Sequence, residues 1–268
     1  MRILFIGDVV GKPGRRAVAA LLPGLRRDLR VDFVIANGEN SAGGFGITRE
    51  TFEELVRAGV DVVTGGNHTW QTRESGALLD SDPRLLRPAN YPPGTPGRGA
   101  GVFRLAGGGT AAVGVLNLEG RVFMQPLLSP FEVGREEARR LRDEAAVVIV
   151  DFHAEATSEK VALGWYLDGR VTAVIGTHTH VQTADERMLE TGTAFITDVG
   201  MTGPRDSIIG MGREDVLRRF LTLLPSRFDV APGPAQFCGV LVEADPGTGR
   251  AQGIERVQRV IGLGRLER

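Results

Sequence analysis

Three stretches decide how this sequence folds: Arg2-Ile3-Leu4-Phe5-Ile6-Gly7-Asp8, Phe33-Val34-Ile35-Ala36-Asn37-Gly38-Glu39-Asn40, and Asp61-Val62-Val63-Thr64-Gly65-Gly66-Asn67-His68. Each is a short β-branched or aromatic run that gives way to glycine and then to polar side chains able to bind a metal. The runs predict strands at 2–7, 33–36 and 61–64. Helical patterns separate them. One covers 15–27, where Pro23 is expected to kink or end it; the other is capped by Thr48, runs through Arg57 and is closed by Gly59. Strand–helix–strand repetition implies a parallel sheet, and such sheets bind ligands beyond the carboxyl ends of their strands. Asp8, Glu39 and Asn67 are 31 and 28 residues apart, about one βαβ unit each.

The same alternation continues outward. Residues 81–100 hold five prolines and read as a long surface loop. Strands follow at 101–105 and 111–117, a helix around 135–144, and a strand at 147–152 ending at His153. Another strand at 171–176 ends at His178 and His180, and 194–197 leads to Asp198. The tail, 236–243 and 251–261, reads as an antiparallel pair across a Pro-Gly-Thr-Gly turn. The reading is one α/β domain over 1–268, its two halves contributing strand ends to one cleft.

The chain has 268 residues and a net charge of −1, and is 42% hydrophobic and 24% charged, which excludes disordered and low-complexity classes. A single cysteine, Cys238, excludes an intramolecular disulfide and a thiolate zinc site. The apolar start at 3–6 is too short for a signal peptide, and no run approaches the length of a membrane span, so a cytoplasmic location is expected. Arginine supplies nearly all the positive charge, with lysine only at Lys12 and Lys160. The pairs Arg26-Arg27 and Arg139-Arg140 read as solvated helix faces, so charge offers no argument for nucleic acid as the main partner.

All four histidines, His68, His153, His178 and His180, fall at or just after predicted strand ends. With Asp8, Glu39 and Asn67 in equivalent places they make seven candidate ligands, too many for one tetrahedral ion. Mixed nitrogen and oxygen donors without thiolate point to first-row metals. Two such ions can clamp an in-line displacement at phosphorus. His178 and His180, at i and i+2, would place both rings on one face of an extended segment. Gly7-Asp8-Val9-Val10-Gly11-Lys12 is not a P-loop: it has three residues between its glycines, and Pro13 stands where Ser or Thr is needed. Gly43-Gly44-Phe45-Gly46 reads as a flexible turn at the rim of the site, with a phosphate cradle as the alternative. Ser41 lies nearby without a free histidine to activate it.

The order Asp8, Gly38-Glu39-Asn40, Gly66-Asn67-His68, His153 and Gly176-Thr177-His178-Thr179-His180 resembles the calcineurin-like metallophosphoesterases. Gly7-Asp8-Val9-Val10-Gly11 and His153-Ala154-Glu155-Ala156-Thr157-Ser158-Glu159-Lys160 are more similar to the YmdB-type branch of bacterial phosphodiesterases. The likeness runs from Met1 to about Val240. It implies a four-layer αββα sandwich, two metal ions (iron, with manganese or zinc as alternatives) and hydrolysis of cyclic nucleotides, notably 2′,3′-cyclic ones. The sequence departs from the broad superfamily at Val10, where a histidine ligand is usual, at Glu39 in place of aspartate, and at Thr69 in place of an acid. Carried onto this chain, Asp8, Glu39, Asn40 and His180 would hold the first metal. Glu39 again, with Asn67, His153 and His178, would hold the second. A bridging water acidified by both ions would be the nucleophile, and His68 the general acid. Glu155, Thr157, Ser158, Asp185 and Asp198 are candidates for orienting the imidazoles. A phosphomonoesterase or nuclease of the same superfamily is the alternative enzyme. The alternative from another class is a metal-bound regulatory protein engaging RNA-processing partners. A homo-oligomer is left open.

Overall fold

The computed structural model describes residues 1–105 and 111–262. Among these residues the chain forms two sheets and six helices. The first sheet runs in the order Asp8–Val9, Met201–Pro204, Ala235–Ala244, Arg2–Ile6, Phe33–Asn37, Val62–Thr64, Leu85–Leu86, and Ala251–Ile261 pairs with Ala235–Ala244. The second runs Arg187–Met188, Ala194–Ile196, Ala173–Thr177, Val147–His153, Ala112–Glu119, Ala100–Arg104.

Strand alternation divides the apolar side chains between two kinds of core. Ile3, Phe5 and Ile35 of the first sheet pack against Val113, Val115, Ile149 and Ile175 of the second. Their neighbours Leu4, Ile6, Val34 and Ala36 face outward onto Val18, Leu22, Phe52 and Leu55, which lie on helices Gly11–Asp28 and Arg49–Arg57. On the far side, Leu116, Val148 and Val150 pack on Ala138, Leu141 and Leu163 from helices Pro130–Arg142 and Thr157–Tyr166. The result is helix, sheet, sheet, helix, the four-layer αββα architecture. Strands buried on both faces read as unbroken apolar runs, which is why Arg2–Ile6 has no polar alternation.

Three features of the fold differ from the sequence reading. The first sheet is mixed, because Ala235–Ala244 lies antiparallel to Arg2–Ile6, a pairing across the whole chain that local pattern does not encode. Helix Gly11–Asp28 runs through Pro23: the buried Val18, Leu22 and Leu25 hold it to the sheet and offset the lost hydrogen bond. The proline-rich 81–100 stretch is not only surface: Leu85–Leu86 forms a strand beside Val62–Thr64, and Arg87 and Asn90 are buried. The Thr48 cap is present, with Thr51 completing a capping box. No helix among the described residues is long and apolar enough to cross a membrane.

At the carboxyl ends of the strands one segment bridges the two sheets. A Cβ on Gly7, at the end of the first strand, would lie 1.8 Å from the carbonyl oxygen of Gly200, and one on Gly176 would lie 1.8 Å from that of Thr197. One segment, 197–200, therefore threads between both sheets where only glycine fits. Gly7→Ala is expected to destabilise the chain by about 3 kcal/mol through overpacking against backbone. Thermal unfolding beside wild type measures it, and an unchanged midpoint contradicts the close packing.

Candidate metal centre

Every candidate ligand lies at the carboxyl end of a strand or in the turn that follows. Asp8, Glu39, Asn40, Asn67 and His68 come from the first sheet, and His153, His178 and His180 from the second. Their hub is His153 Nε2. Asn67 Oδ1 lies 2.9 Å from it, Glu39 Oε1 3.1 Å and His178 Nδ1 3.1 Å. Donor atoms of Glu39, His153 and His178 all fall within 4.8 Å of one another. A second, looser group lies alongside. Asp8 Oδ1 is 3.7 Å from His180 Nε2 and 3.8 Å from His153 Nδ1, and Asn40 Nδ2 is 3.4 Å from His180 Nε2 and 3.0 Å from Glu39 Oε1. A flip of the Asn40 amide would exchange its oxygen into that place.

The hub fits a cation better than a hydrogen-bond network. One ring nitrogen carries at most one proton, yet three acceptors crowd it. Separations near 3 Å are those of neighbouring donors around an ion with bonds of about 2.1 Å. Asp8 Oδ1 is buried with no donor, an arrangement that costs stability unless positive charge faces it. Each imidazole also spends its outer nitrogen elsewhere. His153 Nδ1 is 2.9 Å from Thr177 Oγ1, His178 Nε2 is 3.1 Å from Glu155 Oε2, and His180 Nδ1 donates to the Ile209 carbonyl at 2.9 Å. This division between an inner lone pair and an outer partner is the habit of metal-binding histidine.

Electrostatics carry the same demand for positive charge. Burial works against a charged His153, but the carboxylates of Glu39 and Asp8 outweigh it and push the group up to about 9. Glu39 is held at about 2 despite its burial, because His153 and His68 favour the carboxylate. Burial, then the charge on His153, drives His178 down to about 3, leaving its lone pair free. Burial raises Asp8.

His178 and His180 are not on one face of an extended strand. Their φ angles are +94° and +66°, so the chain coils between them and the rings part, one toward His153 and the other toward Asp8. Left-handed backbone at non-glycine residues needs outside support. Asp198 gives it, accepting from the Thr179 N–H at 3.0 Å, the Thr179 hydroxyl at 2.6 Å, and the buried Lys160 Nζ at 2.8 Å. Asp198 thus acts on the loop that carries the rings. Asp185 accepts from the hydroxyl of Thr183 and the N–H of Thr197, bracing the segment between the sheets. Thr157 and Ser158 open helix Thr157–Tyr166 and make no hydrogen bond to an imidazole among the described residues. Of the five proposed partners, Glu155 alone meets a ring directly.

Sequence reading missed Asp151 and Thr177. The Thr177 hydroxyl donates to Asp151 Oδ1 at 2.7 Å, and Asn37 and Thr64 donate to Oδ2 of the same carboxylate. Thr177 therefore offers its lone pair to His153 Nδ1–H, which fixes the tautomer and leaves Nε2 free. The available signal was Asp151 itself, a charge inside the apolar run 147–153 and on the same face as His153.

The cleft opens on two sides. A cavity of about 430 Å³ is lined by Glu39, Asn40, His178 and His180 together with Phe45 and other apolar side chains. A second, of about 490 Å³, is lined by Asn67, Gln71, Gln125 and Phe123. His68 and His178 border both. The His68 ring rests edge-on against Phe45 at 4.9 Å, its Nδ1 is buried without a partner, and burial lowers its pKa against the pull of Glu39. Gly43, Gly44 and Gly46 all take positive φ, so 43–46 is a turn that only glycine-rich sequence makes easily.

Thr177→Val keeps the volume and removes the acceptor for His153 Nδ1. Metal affinity is expected to fall about 10- to 100-fold, and the melting midpoint of the apo protein to fall as well, because buried Asp151 Oδ1 loses its donor. Titration of metal into both apo proteins measures it, and equal affinities mean that Thr177 does not set the ring.

A model of the family described as YmdB-like protein matches residues 4–257. A Bacillus subtilis protein named 2′,3′-cyclic-nucleotide 2′-phosphodiesterase is 51% identical over 257 residues, 96% of each chain. The crystal structure of a novel phosphatase from Mycoplasma pneumoniae superposes with a TM-score of 0.91 at 37% identity, covering 99% of this chain and 95% of that one. A hypothetical protein from Thermus thermophilus superposes with a TM-score of 0.89 at 47% identity, covering 97% of this chain and 99% of that one.

Proposed function

The chain belongs to the YmdB-like protein family, and on that premise we propose that it is a metal-dependent phosphodiesterase acting on nucleoside 2′,3′-cyclic phosphates. The single observation that carries the metal reading is the crowding of Asn67, Glu39 and His178 around His153 Nε2 at 2.9–3.1 Å. The substrate class is supported by the likeness to the Bacillus subtilis enzyme over nearly the whole chain.

Two ions are assigned. Asp8, Glu39, Asn40 and His180 would hold one; Glu39, Asn67, His153 and His178 the other. The donor set is nitrogen and oxygen only, which suits iron or manganese and also accommodates zinc. When bound, the ions would supply Lewis-acid charge to the phosphoryl oxygens and acidify a water molecule. The protein keeps the donors in place. Glu39 has one oxygen toward each neighbour, Oε1 to the hub and Oε2 to the His68 N–H at 2.7 Å. The same contact ties the backbone of the proposed acid to the metal cluster.

Hydrolysis adds water across the bond between phosphorus and O2′, and leaves a 3′-phosphate. The departing O2′ needs a proton, because a ribose alkoxide is a poor leaving group near neutral pH. His68 stands at the border of both cavities with its ring in T-shaped contact with Phe45, and we assign it that proton transfer. A cytoplasmic site of action is part of the proposal and suits a free, buried Cys238.

Elemental analysis of fully active protein is expected to give close to two ions per chain. Chelation should abolish turnover, and manganese or iron should restore it at least as well as zinc; one ion per chain at full activity contradicts the assignment.

His68→Ala is expected to retain both ions and to lose about 10²- to 10⁴-fold in kcat on 2′,3′-cyclic AMP. The loss on bis-p-nitrophenyl phosphate should be far smaller, since nitrophenolate leaves without a proton. Equal losses at full metal content would remove His68 from the acid role, and a fall in metal content would make it a ligand.

A further inference from the structure

The larger part of the wall facing the metal donors is apolar. Beyond Glu39, Asn40 and the histidines, the cavity of about 430 Å³ is bounded by Phe45, Ile209, Met211, Phe220, Leu223 and Phe228, and Arg219 is the one further polar side chain lining it. Met211 and Phe228 belong to a small packed cluster with Val10, Met201 and Val216, so this part of the wall is fixed. Phe220 and Leu223 are different: they stand 74% and 83% exposed, at the end of helix Arg213–Thr222 and just beyond it. A soluble protein gains nothing from a phenyl ring held in water beside its catalytic donors. A ligand that covers the ring repays that exposure.

The size and character of the space fit one class of ligand. Pockets for small ligands span about 300–1,000 Å³, are mainly apolar, and carry few polar groups to fix orientation. Here the metal donors and the apolar side chains line one cavity. A phosphodiester held at the metal donors therefore projects its organic part onto the aromatic wall.

We infer that this wall is a nucleobase subsite, in which Phe220 provides a stacking face for the base of a cyclic nucleotide bound at the metal centre. The inference rests on the phosphodiesterase reading above and deepens it. Among the described residues Arg219 is the one polar side chain on the wall outside the metal cluster, and the wall there carries no side-chain carboxylate or amide that could read a base edge. Recognition is consequently by the π-face that every base has, so the subsite accepts all four bases. Phe45 also lines the cavity, but it touches His68, so its replacement would disturb the acid as well.

The test compares 2′,3′-cyclic AMP with methyl riboside 2′,3′-cyclic phosphate, which lacks a base, on the metal-loaded enzyme. Wild type is expected to show a KM for the nucleotide about 5- to 100-fold lower than for the base-free diester, the range that one stacked base supplies. Phe220→Ala should raise the nucleotide KM by a similar factor, keep kcat within about threefold, and bring the two substrates close together. Phe220→Trp should restore the gap. Leu221→Ala, at a neighbouring exposed position that does not line the cavity, should behave as wild type. The four 2′,3′-cyclic nucleotides should differ in KM by no more than about tenfold.

Equal KM values for nucleotide and base-free diester in wild type overturn the subsite. So does a gap that survives Phe220→Ala, or a loss shared equally by Leu221→Ala. If neither substrate is turned over, the phosphodiesterase reading fails on its own account. Calorimetric binding of adenosine 3′-phosphate to wild type and Phe220→Ala then still decides the subsite: weaker binding by the variant supports it, and equal binding overturns it.

Discussion

Asp8, Glu39 and His153 are buried almost completely, with two further imidazoles and two amides turned toward them. A group of acceptors at this density is unfavourable in a low-dielectric interior unless positive charge sits among them. Most of what is unusual about the chain follows from that constraint. His153 is pushed up to about 9 by its carboxylate neighbours, while His178 is driven down to about 3. A metal cation answers the same demand as the proton does, with more charge, and releases the imidazole to act as a donor. The unpartnered Asp8 Oδ1 marks where the hydrogen-bonding groups of the protein run out.

Holding such a cluster requires rigid support behind it. Asp151 anchors Thr177, Thr177 faces His153, and all three are fully buried. Asp198 and Lys160 form a buried ion pair at 2.8 Å whose spare hydrogen bonds go to Thr179, between the two left-handed histidines. A buried pair of this kind gives little net stability relative to apolar packing; its value here lies in fixing the backbone of 178–180. Glycines at 7 and 176 allow the 197–200 segment to pass between the sheets. Asp198 reaches the histidine loop from that position.

The site belongs to neither half of the molecule alone. The first sheet brings the carboxylates and amides, and the second brings three of the imidazoles. The core shared by the sheets sets the distance between the two donor groups. Around this centre the cleft is asymmetric, polar toward Gln71 and Gln125 and apolar toward Phe220 and Phe228. His68 lies on the boundary. Under the proposed function, a substrate whose phosphate occupies the centre would meet His68 where the two environments join.

Where the strands end was legible in the residues alone. Arg2–Ile6, Phe33–Asn37 and Val62–Thr64 are apolar enough to be buried on both faces, and Asp8, Glu39, Asn67 and the four histidines stand where such strands stop. Spacing along a βαβ chain is a local property, so the candidate donors and the strands that carry them could be read in advance. Whatever depends on distant residues had to wait for the folded chain. The antiparallel insertion of Ala235–Ala244 beside Arg2–Ile6 joins opposite ends of the chain. Thr177 and Asp151 matter only once two neighbouring strands are in register, with Asp151 beside Ile175 and His153 beside Thr177. The left-handed turn at His178 and His180 is imposed by Asp198, 18 to 20 residues further on, against the local preference for extended backbone. The aromatic wall at Phe220 and Phe228 lies far in sequence from every metal donor of the first sheet. It joins the site because Met201–Pro204 pairs beside Asp8–Val9 in the first sheet and Met211, Val216 and Phe228 pack on Val10 and Met201, and no periodicity within either segment records that.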